Sequence, residues 1–176
     1  MSSDREDKVR IEPLANADVE RMVVLAARIW HDHYPAIIGA AQMQYMLKQR
    51  YDPAVVRAEL GRADVWWDKL SVGEDICGFA SYLLAAEPAT VKLDKLYVRT
   101  GCQRRGYGGM LIARAIDEAR RQGCMRLVLA VNKNNTSAIG AYRKHGFRVV
   151  DAVVKDIGGG FVMDDYIMEK LVMRDG

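Results

Sequence analysis

The sequence predicts one α/β domain on a mixed sheet, and three observations carry that expectation. Residues 16–61 read as helices, and the chain from residue 65 onward reads mainly as strands joined by short turns. The run Leu127-Val128-Leu129-Ala130-Val131 has no polar face, as befits a strand covered on both sides. Between it and an earlier strand at 91–98 lies a helical stripe, which makes this pair parallel through a right-handed crossover. At 176 residues, 50% hydrophobic and 28% charged, the chain matches one globular domain and excludes disorder. The expected organisation is a charged tail at 1–7 and a single domain over 8–176.

The elements follow from local pattern. Val9 to Glu12 alternates before Pro13 and predicts a short first strand. Asn16 is a candidate cap for a helix whose apolar face is Val19, Met22, Val23, Ala26, Ile29 and Trp30. Residues 30–35, rich in His and ending in Pro35, read as a loop. Met43, Met46, Leu47 and Tyr51 give a second helical stripe, and Asp52-Pro53 starts a short helix that stops at Gly61. Strands at 65–72 and 76–84 meet at Gly73-Glu74-Asp75. On the strand at 91–98, period two puts Leu93, Lys95 and Tyr97 on one face and Asp94, Leu96 and Val98 on the other. A helix through Leu111, Ile112, Ala115, Ile116 and Ala119 ends near Gly123, another runs from about 135 to 145, and strands at 147–155 and 161–171 flank three glycines.

Composition narrows the function classes. No apolar run approaches the roughly 18 residues that span a bilayer, and the charged start has no signal-peptide core. Cys77, Cys102 and Cys124 are odd in number and far apart, which fits a reducing cytoplasm better than a disulfide framework or a zinc site. The net charge is only +3, yet residues 99–126 hold seven arginines against Asp117 and Glu118. Such a cluster is either a solvated helix face or the footprint of an anion. Without a helix-turn-helix, zinc or stacking motif, nucleic acid is not the expected anion.

Glycines decide between those readings. Gln103-Arg104-Arg105-Gly106-Tyr107-Gly108-Gly109 stands between a strand and a helix. Glycines there let backbone N–H groups and the helix dipole approach a phosphate, and Arg104 and Arg105 add charged donors. Gly109 precedes Met110-Leu111, so no Lys-Ser/Thr completes a Walker loop, and Leu111 fills the last glycine position of a dinucleotide fingerprint. What remains is Q-x-x-G-x-G. Downstream, Asn135, Ala138, Tyr142, Lys144, Gly146 and Phe147 follow the pattern N-x-x-A-x-x-x-Y-x-K-x-G-F.

Both motifs, in this order, resemble the GNAT superfamily of acetyl-coenzyme A-dependent N-acetyltransferases. The likeness is strong from 91 to 147 and permissive elsewhere. It implies a mostly antiparallel sheet whose one parallel pair splays to admit acetyl-coenzyme A as co-substrate, with no metal. Backbone groups of Leu96, Tyr97 and Val98 would bond the pantetheine arm, and residues Gln103, Arg104, Arg105, Gly106, Tyr107, Gly108 and Gly109 would hold the pyrophosphate. Asn135, Ala138, Tyr142 and Lys144 would complete the cofactor site. The family implies a cytoplasmic enzyme acting on a small-molecule amine, with no nucleic-acid or membrane partner, and leaves a homodimer open.

The chemistry asks for an amine that loses a proton and a thiolate that is stabilised on leaving. An alkylamine with a pKa of about 10.4 is only about one part in a thousand neutral near pH 7.4, so a proton acceptor helps. Asp94, where many family members carry glutamate, is the candidate base, against the reading of a strand-edge charge. Tyr142 is the candidate acid. Full transfer from an ordinary tyrosine to a thiolate is uphill by roughly 2 kcal/mol, so either its pKa is lowered or it hydrogen-bonds the sulfur. Trp30 and Tyr34 are expected at the acceptor site, with Met43 and Met46 either beside them or in the core; His31 and His33 read as surface residues. Trp30 with Tyr34, and the tail 160–168 with Asp164 and Asp165, resemble bacterial polyamine acetyltransferases, in which the carboxylates would attract a polycation. The alternatives are a coenzyme A-binding sensor without turnover and an enzyme acting on a protein amino group.

Overall fold

The computed structural model describes residues 8–172; the expected tail at 1–7 lies outside them. Seven strands form one sheet: β1 (Val9–Pro13), β2 (Val65–Val72), β3 (Asp75–Leu84), β4 (Thr90–Val98), β5 (Arg126–Asn132), β6 (Arg148–Gly158) and β7 (Phe161–Leu171), in the order β1-β2-β3-β4-β5-β7-β6. All neighbours are antiparallel except β4 and β5. The helices are α1 (Val19–His33), α2 (Pro35–Ile38), α3 (Ala40–Tyr51), α4 (Pro53–Leu60), α5 (Tyr107–Arg121) and α6 (Thr136–Lys144).

Two apolar layers sandwich the sheet. On one face, Leu111, Ile112, Ala115 and Ala119 of α5 lie buried against Leu93, Leu127 and Leu129. That is the stripe read from the sequence, and each fully buried Leu or Ile contributes about 1.5–3 kcal/mol relative to exposure. On the other face, α1, α3 and α4 pack Met22, Trp30, Met43 and Val56 against Trp67 and Phe79. Asp52 caps α4 through the Ala54 N–H at 2.8 Å, with Pro53 in the first turn, as predicted.

Four local expectations change. Residues 30–33 continue α1, and Pro35 opens α2 instead of a loop, because Pro at a first helical position loses no hydrogen bond. Asn16 starts a 3-10 turn rather than capping α1. The carboxylate that closes this end is Asp18, which accepts the Ala15 N–H at 3.0 Å and is pinned by Lys69 at 2.7 Å. β6 runs on to Gly158, three residues beyond the expected end. The fourth change matters most. Ser81 pairs with Lys95 but Tyr82 pairs with Leu93, so Asp94 is an extra, bulged residue in β4. A one-residue bulge reverses the alternation beyond it. Leu93 therefore joins Leu96 and Val98 on the α5 face, while Lys95 and Tyr97 point to the α1–α4 face.

Candidate active site

The parallel pair is short. β4 and β5 match only at Thr90↔Arg126, Val91↔Leu127 and Lys92↔Val128, after which the strands diverge. Residues 93–98, apart from the bulged Asp94, keep β3 on one side but have no strand partner on the other among the described residues. Unpaired strand edges demand hydrogen bonds, so this edge is ready to receive an extended amide-bearing chain. The gap opens a cavity of about 930 Å³, lined by Leu96, Tyr97 and Val98 on β4 and by Leu129, Ala130, Val131 and Asn132 on β5. Trp30, Tyr34, Asp94, Gln103, Gly108, Asn135, Ala138 and Tyr142 also line it. Five of the motif residues, Gln103, Gly108, Asn135, Ala138 and Tyr142, thus share one cavity with the acceptor candidates.

Arg104, Arg105, Gly106, Tyr107, Gly109 and Lys144 do not line it. Arg104 to Gly106 instead lie in the turn between Gln103 and Gly108, which do. Gly106 has φ +79° at the start of α5, a left-handed conformation that favours glycine, and the next N–H groups begin the helix without partners behind them. Arg104 itself adopts φ +65°. Tyr107 turns its ring into the core, leaving its main chain for a ligand, and Lys144 is exposed on α6. A Cβ on Gly109 would stand 2.8 Å from Cε1 of His145, a side chain that also lines the cavity.

Of the seven clustered arginines, Arg99 donates to Cys102 Sγ at 3.3 Å, and the other six divide into two sets. Arg114 pairs with Asp68 at 3.4 Å, Arg121 with Glu118 at 2.6 Å, Arg120 with Asp117 at 3.9 Å, and Arg126 with Glu169. Arg104 and Arg105 are exposed and in no ion pair among the described residues. The local positive charge that is left free therefore stands at the glycine turn, which fits a diphosphate. With the unpaired β4 edge and the cavity between the strands, these residues fit coenzyme A.

α6 presents its motif residues along one face. Asn135 caps the helix through the Ala138 N–H at 3.3 Å, and its Oδ1 also lies 3.2 Å from His33 Nε2. An amide oxygen only accepts, so in this contact His33 Nε2 is the donor. His33 is exposed, as read from sequence, and also bridges α1 to the motif helix and lines the cavity; His31 does not line it. Tyr142 packs edge-on against Phe147, ring centroids 5.6 Å apart. Burial pushes its phenol well above the ordinary tyrosine value, and Tyr34 adds to the shift.

On the α1–α3 side, Trp30 packs against Tyr34 with ring centroids 4.3 Å apart and planes tilted by 33°, and the Tyr34 hydroxyl meets that of Tyr97 at 2.8 Å. Met46 lines the cavity, whereas Met43 is wholly core. Asp94 faces the cavity but is already engaged. Arg50 donates to its carbonyl at 3.1 Å and stands 3.5 Å from its carboxylate, Lys95 is ion-paired to it, and Lys92 lies at 4.0 Å. Burial alone would raise its pKa; Arg50, Lys95 and Lys92 outweigh that and hold the carboxyl well below the usual range. Sequence reasoning missed Arg50, for its partner is 44 residues away and nothing local marks it. Asp164 pairs with Lys133 at 2.6 Å, while Asp165 lines the cavity.

The fold and this site define an N-acetyltransferase that uses acetyl-coenzyme A. The model of the acetyltransferase (GNAT) family matches residues 26–147, and the chain belongs to that family. It is similar over 92% of its length to a spermidine N(1)-acetyltransferase of Thermoplasma acidophilum, at 24% identity and covering 96% of that protein. A 73-residue stretch, 42% of the chain and 39% of the relative, is 36% identical to a streptothricin acetyltransferase of Streptomyces lavendulae. Among solved structures, the PaiA N-acetyltransferase of T. acidophilum in complex with coenzyme A superposes with a TM-score of 0.80, at 22% identity, over 93% of this chain and 99% of that one. No helix among the described residues is long and apolar enough to cross a membrane, and no cluster of His, Cys, Asp or Glu there could hold a metal ion.

Proposed function

We propose that this N-acetyltransferase acetylates a small primary amine, with a polyamine as the first candidate, by direct attack in a ternary complex. The observation that carries the reading is the shared cavity: the open β4 edge, the Tyr142 phenol and the carboxylates of Asp94 and Asp165 all face it, beside Arg50, Lys92 and Lys155. Bound there, acetyl-coenzyme A supplies an activated acyl carbon and a thiolate leaving group. Main-chain donors near Leu96 polarise the acyl oxygen, and Tyr142 donates a hydrogen bond to the departing sulfur. The raised pKa of Tyr142 favours that role over complete proton transfer, since a weaker acid makes the transfer more uphill than it is for an ordinary tyrosine. Alignment of the two reactants in one cavity contributes beside these groups. The polyamine reading rests on the Thermoplasma relative. Buried free thiols at Cys77, Cys102 and Cys124 support a reducing, cytoplasmic setting.

Calorimetry with acetyl-coenzyme A, followed by thiol release with spermidine and spermine, tests this. Heat of binding and turnover are expected. Binding without turnover of any amine would instead identify a coenzyme A sensor, and turnover only with a protein α-amine would move the acceptor to a polypeptide. Arg104→Ala and Arg105→Ala should each weaken coenzyme A binding by about 10-fold or more, the loss of a charge-assisted hydrogen bond, and the wild-type affinity should fall with salt. An affinity unchanged in both variants would place the diphosphate elsewhere.

A further inference from the structure

Asp165 is the unexplained group in the cavity. It lies on β7 between Met163 and Ile167 on the same face, directly across from Val153 on β6 and Asn132 on β5. The residue is 9% exposed, and its Oδ1 is buried with no hydrogen-bond partner. No cation comes within 4 Å of it among the described residues. The charged and titratable groups that face it are Lys92 on β4, Arg50 on α3, Lys133 after β5, Asp164 on β7 and, at the end of α1, Tyr34. Lys155 of β6 shares the cavity wall. Arg50 and Lys92 are turned to Asp94, and Lys133 to Asp164. Both neighbouring carboxylates thus have a cation within ion-pair distance; Asp165 has none among the described residues. A buried carboxylate left unsatisfied costs the fold stability, so its presence at a ligand cavity calls for a ligand that satisfies it.

We propose that Asp165 receives the acceptor's ammonium group and takes its proton during acyl transfer. This rests on the amine-acceptor reading above. The ammonium gives one proton to the Asp165 carboxylate, and the freed nitrogen lone pair forms the N–C bond to the acetyl carbon. The C–S bond breaks with its electron pair passing to sulfur. The second nitrogen proton goes to that sulfur, so coenzyme A leaves as the thiol, and Asp165 returns its proton to solvent. The surroundings of Asp165 suit a proton acceptor. Burial first, then Asp164, raises its carboxyl above the ordinary value, towards the range in which a base is effective, against the opposing Lys92, Arg50 and Lys133. Asp94 is biased in the opposite direction.

The test is Asp165→Asn in the full chain, with Asp151→Asn on exposed β6 as a control of equal charge change. Acetyl-coenzyme A binding, kcat against pH with spermidine and with n-hexylamine, and thermal stability are measured for both. Asp165→Asn is expected to lower kcat by about 10² or more, to remove the acidic limb of the pH profile, and to keep acetyl-coenzyme A affinity. It should also raise Tm by ~2–4 °C at neutral pH. The sign follows from linkage: a carboxyl raised by the fold favours folding only while protonated, that advantage is lost as pH rises through its folded pKa, and Asn stays neutral throughout. Asp151→Asn should match wild type. An acidic limb and kcat retained in Asp165→Asn overturn the proposal while leaving the transferase reading intact. A wild-type chain that fails to bind acetyl-coenzyme A, or binds it and turns over neither amine, overturns the amine-acceptor reading and this proposal with it.

Discussion

Tyr142→Phe is expected to lower kcat by about 10² or more while acetyl-coenzyme A affinity changes little. The ring sits against Phe147 and forms part of the cavity wall, and phenylalanine keeps that shape, so only the hydroxyl is lost. A hydrogen bond made to sulfur as charge develops is stronger at the transition state than in the ground state, and so its loss falls on kcat. Burial raises the phenol's pKa, which keeps it protonated throughout the neutral and mildly alkaline range. The wild-type profile should accordingly show no alkaline decline from Tyr142 near pH ~10, where an ordinary tyrosine would ionise. Steady-state kinetics over that range checks both statements. An unchanged kcat in the phenylalanine variant would remove Tyr142 from the chemistry.

Asp94→Asn should have the largest effect on stability, about 3 kcal/mol, at the low end for breaking a buried ion pair because Arg50 retains some contact with water. The side chain is 16% exposed and that of Lys95 only 2%; the substitution leaves both Arg50 and Lys95 short of a counter-charge. Glu59, 4.0 Å from Lys95, offsets part of that loss. The linkage sign is opposite to that of Asp165. A carboxyl depressed by the fold stabilises it above the ordinary carboxylate pKa of about 3.9, and this contribution is lost as pH falls through the depressed value. Wild type should therefore lose stability on acidification below about pH 4 more steeply than Asp94→Asn. Urea unfolding at several pH values measures this. Kinetics on the same variant separates two roles: a base at Asp94 requires its loss to abolish the acidic limb of kcat, whereas a charge that holds the β4 bulge leaves the limb in place.

The cofactor side of the site was far more legible than the acceptor side. Gln103 to Gly109 and Asn135 to Phe147 are contiguous stretches whose helix starts, caps and same-face spacings follow from local rules, and both stretches contribute to one cavity. The acceptor side is assembled from α1, α3, β4, β6 and β7, so its pairs are remote in sequence. His33 meets Asn135 across 102 residues, and Arg50 meets Asp94 across 44. Neither pairing has a local signal.

Period and punctuation in the chain determined the sheet, the crossover helix α5 and the glycine turn, because each depends on residues within one or two turns of one another. The tertiary structure alone decided where β4 bulges, since that depends on its register against β3, and with it which face Lys95 and Tyr97 occupy. It also decided which charges are neutralised. Asp94 and Asp164 look equivalent to Asp165 in sequence, but packing gives each of the first two a cation and, among the described residues, leaves the third without one. Electrostatic partnership is set by distances of a few ångströms between elements far apart in the chain, and no local pattern encodes it.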